Sequence, residues 1–93
     1  MAKRLNEPRR LNKTNIQKAP QQSAVYVIRN RKGGVQWVGK AGAGRLRARL
    51  LEHFNEKDIP GADLFQFRTT TSDEEAGALE RRYKKRLKPK YGE

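Results

Sequence analysis

The chain has 93 residues, of which 22 are Lys or Arg and 10 are Asp or Glu, for a formal net charge of +12. Only 34% of residues are hydrophobic, so it can bury one small core and no more. No apolar run approaches the roughly 20 residues needed to cross a bilayer, no apolar stretch follows the N-terminal charges, and no cysteine is present. Transmembrane helices, secretory signals, disulfide scaffolds and thiolate zinc sites are therefore all excluded as expectations. What remains is an intracellular, cytoplasmic domain whose excess positive charge calls for a polyanionic partner. Nucleic acid fits that role; a membrane does not, because no basic amphipathic helix stands alone.

Residues 1–21 carry six basic side chains against the single acid Glu7, with scattered apolar residues and no clear period. They are expected to form a flexible basic arm. The folded domain is expected over residues 22–93. Residues 23–29 are β-branched and aromatic, as a strand requires, and the paired glycines Gly33 and Gly34 predict a turn. Residues 35–39 then form the returning strand of a hairpin. From Arg45 to Phe54 the apolar positions Leu46, Leu50, Leu51 and Phe54 follow helical spacing. Pro60 and Gly61 predict a turn, and residues 64–69 a third strand. Ser72 and Glu75 form a capping box that opens a second helix, which should end before Pro89. The order is β-β-α-β-α: an α+β fold with a small three-stranded antiparallel sheet flanked by helices.

Four side chains stand out. Glu80 lies at the margin of the second helix's apolar stripe, where a carboxylate needs a partner: an ion pair with Arg49 or Lys84, or a metal. Arg49 and His53, four residues apart on the first helix, share a face; the guanidinium suits phosphate oxygens, and the imidazole can move a proton or play a structural part. Tyr26 sits in the first strand, beside the hairpin partner that carries Trp37, and by pattern alone the two are core aromatics. The stretch from Gly39 to Gly44 could bring backbone N–H groups to a phosphate, though it lacks the sequence of a P-loop. Basic residues cluster around it (Lys40, Arg45) and along the C-terminal helix (Lys84, Lys88), which points to a phosphate backbone.

In order and spacing these residues resemble the GIY-YIG nuclease family. Ala24-Val25-Tyr26 matches the first signature segment and Trp37-Val38-Gly39 the second. A helix bearing Arg49 and His53 follows, then one bearing Glu80, then Lys88-Pro89-Lys90-Tyr91. The run from Trp37 to Ala41 is most similar to the nuclease domain of bacterial excision-repair incision subunits. The resemblance implies a metal-dependent endonuclease that hydrolyses phosphodiester bonds, with DNA as substrate and little sequence specificity of its own. It implies Glu80 as ligand of Mg²⁺ or Mn²⁺ and Tyr26 as a helper in activating water. Arg49 would stabilise the developing charge, His53 would handle protons, and Lys40 would contact phosphate or water. Trp37, Lys40, Arg45, Arg49, Lys84 and Lys88 are the nucleic-acid contacts expected.

The chain departs from the family pattern at four places. Ala24 stands for the first glycine, Trp37 for the second tyrosine, and Gly92 for a terminal asparagine; the loop from Gly39 to Arg49 is longer. The alternative function is accordingly a nucleic-acid-binding module that keeps the fold without cutting. A small basic ribosome-associated protein would explain the charge but not the constellation.

Overall fold

The structure is a computed structural model and describes residues 4–91. The elements, in chain order, are β1 (Arg9–Arg10), α1 (Lys13–Gln17), β2 (Ala24–Arg29), β3 (Val35–Ala41), α2 (Leu46–Glu56), β4 (Leu64–Thr69) and α3 (Asp73–Leu87). One antiparallel sheet runs in the order β1-β4-β2-β3. The α+β class holds, with four strands where three were expected.

β2 is the central long strand, and its two faces serve two cores. Val25 and Val27 join Val38, Leu79 and Tyr83 beneath α3. Ala24, Tyr26 and Ile28 join Ile16, Leu46, Leu50 and Phe65 beneath α1 and α2. A strand buried on both faces reads as a nearly continuous apolar run, which is why residues 24–28 show no alternation. The hairpin turn forms as its glycines require, with Gly33 at φ 93°. Ser72 caps α3 by accepting from the Glu75 N–H at 3.1 Å. The Glu75 carboxylate accepts from the N–H of Thr71, one residue earlier than a capping box would place it.

Residues 4–20 are no flexible arm. Arg9 and Arg10 pair with Phe65 and Leu64, and the Asn6 N–H donates to the Phe67 carbonyl at 3.1 Å. Asn12 caps α1 through its side chain, and α1 drives Ile16, 0% exposed, into the core with Ala19 behind it. Few apolar residues suffice here because each reaches a core: Leu11, Ile16 and Ala19 the one beneath α1 and α2, and Leu5 the one beneath α3. The backbone of the segment is satisfied by β4, which would otherwise be an open edge. At the opposite edge the N–H groups of Lys90 and Tyr91 donate to the Val35 and Gln36 carbonyls and cover the start of β3. Gly92, singled out above, lies outside the described residues. Among those residues no helix is long and apolar enough to cross a membrane.

Candidate active site

β3 brings the site together because it is an edge strand with a helix on either side. α3 crosses one face, α2 begins beyond the other, and their side chains meet around the strand in a cleft of about 420 Å³. Trp37, Lys40, Arg45, Arg49, Glu80 and Lys84 all line it, so six residues singled out in the sequence share one wall-to-wall space. Lys88 does not: it is exposed beyond the end of α3, in a left-handed conformation that caps the helix.

Within the cleft the charges are mixed. Glu80, with 19% of its side chain exposed, pairs with Lys84 one turn on at 3.6 Å. Arg49 pairs with Glu52 on its own helix at 3.7 Å rather than with Glu80. Arg45 opens α2 without a side-chain cap. Lys40 reaches across to α3, its Nζ 3.4 Å from where a Cβ on Gly77 would lie. The absence of a side chain at Gly77 lets strand and helix approach.

Tyr26 and His53 lie behind the cleft rather than in it. Tyr26 is 0% exposed, and its hydroxyl is 2.9 Å from His53 Nε2. Tyr26 and Gly39 are register partners on neighbouring strands, and the phenol crosses over the glycine. A Cβ on Gly39 would stand 2.5 Å from the Tyr26 hydroxyl and 3.0 Å from Trp37 Nε1. That close approach is the physical reason for a glycine in the second signature segment. Burial raises the Tyr26 pKa above its ordinary value, and Glu80 adds to the rise through its charge; the Arg49 guanidinium opposes both. The Trp37 N–H itself is buried and makes no hydrogen bond to any described residue.

The far side of His53 was not anticipated from the sequence. Its Nδ1 lies 3.0 and 3.2 Å from the two carboxylate oxygens of Asp58. Asp58 follows α2 by two residues, and Lys57, at φ 51°, turns the chain back through the left-handed region. An acid five residues after a histidine was the available signal, but only a non-glycine residue at positive φ makes it count.

The residues present can be tested against a divalent metal. Among the described residues no group of three or more His, Cys, Asp or Glu side chains converges, so no all-protein cage exists. What the cleft offers is one partly buried carboxylate, Glu80, with Asp73 elsewhere on the wall and lysines and arginines between. This donor set fits Mg²⁺, which keeps its waters and binds through one or two carboxylates together with substrate phosphates.

The fold matches that of a GIY-YIG domain. The structure is similar to the GIY-YIG N-terminal endonuclease domain of UvrC from Thermotoga maritima bound to its catalytic divalent cation, magnesium. Identity is 29% and the TM-score 0.70, with 86% of this chain and 93% of that one covered. Two cation-bound point variants of the same domain match equally well. The asparagine-to-alanine variant has 29% identity and TM-score 0.72, covering 86% and 92%; a tyrosine-to-phenylalanine variant has 28% and 0.70, covering 86% and 93%. Residues 4–86 match the family described as Domain of unknown function (DUF7508), and the chain belongs to that family. Comparison with curated proteins finds no match.

Proposed function

We propose that this protein is a divalent-metal-dependent endonuclease that hydrolyses phosphodiester bonds, with DNA as substrate and little sequence specificity of its own. The observation that carries this reading is the cleft: a partly buried carboxylate, a guanidinium and a lysine around one space, with a Tyr–His pair directly behind it. Its likeness to a magnesium-bound endonuclease domain supports the reading. Mg²⁺ or Mn²⁺ held by Glu80 would supply charge neutralisation at the scissile phosphate. Arg49, Arg45 and Lys40 bind and orient phosphate oxygens, and Arg49 meets the charge that develops in the transition state. Tyr26 orients the attacking water, and His53 takes up a proton from Tyr26. Lys84, Lys88 and Trp37 extend the contact along the backbone. None of these elements is shaped to enter a groove and read base edges, which accounts for low specificity.

A second reading, a binding module without turnover, is favoured by one observation. The Tyr26 hydroxyl has no exposed surface and is packed against Gly39 and the Trp37 indole, so water in the cleft reaches it only if a neighbour shifts.

Single-turnover assays with labelled duplex, branched DNA and RNA of matching sequence separate the two. The nuclease reading expects cutting of DNA that needs Mg²⁺ or Mn²⁺ and stops on chelation. Salt-sensitive binding with no cutting of any substrate would establish the second reading instead.

A further inference from the structure

Both ring nitrogens of His53 are engaged, and their partners differ in kind. Asp58, opposite Nδ1, is a carboxylate and can only accept. The neutral ring must therefore carry its proton on Nδ1. Nε2 is left with a bare lone pair, and the hydrogen bond at 2.9 Å runs from the Tyr26 O–H to His53. Asp58 thus sets the direction of the whole chain. Without it the opposite tautomer becomes available, with Nε2–H donating to the Tyr26 oxygen, and His53 could accept nothing from that side.

The surroundings suit this role. The His53 side chain is 7% exposed, while that of Asp58 is 46% exposed. The carboxylate stays largely in solvent, so placing it there costs little, and the ring it orients is shielded from competing water. We propose that Asp58 is a positioning residue that holds His53 as the Nδ1–H tautomer, so that Nε2 is the acceptor for the Tyr26 proton. The proposal rests on the nuclease reading for its consequence. Once a neighbour of Tyr26 has shifted to admit it, water attacks phosphorus, and its O–H bond breaks toward the Tyr26 oxygen while the phenol's own proton passes to His53 Nε2. A new P–O bond forms, the leaving oxygen departs with the bonding pair and is protonated by solvent, and Tyr26 is neutral before and after. The imidazolium produced is held by the Asp58 carboxylate and returns its extra proton to solvent.

His53 is the only histidine, so two-bond ¹H–¹⁵N NMR of the ring nitrogens reads its tautomer without assignment. The wild type should show the neutral ring as Nδ1–H. Asp58→Ala should move a measurable fraction to Nε2–H, and Asp58→Glu should restore the original form, with the amide spectra of all three confirming the fold. In cleavage, Asp58→Ala should lower kcat by about a hundredfold, the lower end of what a general base contributes, with KM unchanged. Asp58→Glu should recover part of that loss. An Nε2–H ring in the wild type, or a tautomer unmoved by Asp58→Ala, would overturn the proposal. If the wild type does not cut at all, the nuclease reading fails, while the NMR result still decides what Asp58 does.

Discussion

The Tyr26 hydroxyl and His53 Nε2, 27 positions apart in the chain, meet at 2.9 Å in the core between the sheet and α2. Tyr26 is fully buried and His53 nearly so, so little water competes for the bond. Tyr26→Phe should leave Nε2 buried and unpaired and cost about 1–3 kcal/mol of stability. Urea unfolding of the purified variant measures this directly; unchanged stability would mean that the hydrogen bond is replaced by water in solution.

The phenol's crossing over Gly39 gives a second prediction. In Gly39→Ala the new methyl would meet Tyr26 and Trp37 at 2.5 and 3.0 Å, and these are ring atoms packed in the core, not the free ends of long chains. The variant should lose about 1–3 kcal/mol through overpacking. In a double-mutant cycle with Tyr26→Ala, Gly39→Ala should cost less than it does in the wild-type background, since the nearest clash is gone; thermal melting of the four proteins reads that coupling.

Ionisation of Tyr26 links stability to alkaline pH. Burial holds its pKa above 10.0, so the folded state keeps the phenolic proton more tightly than the unfolded chain. The stabilisation is fully present below pH 10 and is lost as pH rises through the raised folded value. The phenolate absorbance of wild type minus Tyr26→Phe should thus appear only above pH 10, together with a fall in stability that Tyr26→Phe lacks. A difference signal rising below pH 10 would contradict the burial seen here.

Residues 4–20 supply a fourth test. Ile16 is fully buried beneath α1, and Ile16→Ala should cost about 2–5 kcal/mol, as large-to-small changes in a core do. A flexible arm would feel nothing. The readout is the urea midpoint of full-length protein.

How much of this was legible in the sequence follows from how local each signal is. Strand β4 and the Ser72 cap depend on neighbouring residues and were visible as such. The element β1 has two residues and α1 five, too short for any period to show, and tertiary contacts hold them in place. Apolar pattern marked Tyr26 and Trp37 as core aromatics, and Tyr26 is indeed core; its hydroxyl's partner depended on how α2 lies over the sheet. Glu80 could be placed on the margin of its stripe, and the Lys84 pair was one of the partners weighed for it. The spacing of Asp58 from His53 was too weak a signal to read, because its position depends on Lys57 adopting a conformation that side chains seldom take.

Relaxation of supercoiled plasmid in Mg²⁺ by wild type and Glu80→Gln, with DNA binding measured on the same samples, tests whether Glu80 makes the cleft a metal-dependent cutting site. The wild type should nick and linearise the plasmid, and Glu80→Gln should bind as well but not cut. Binding without cutting by the wild type, or equal cutting by Glu80→Gln, would contradict that role.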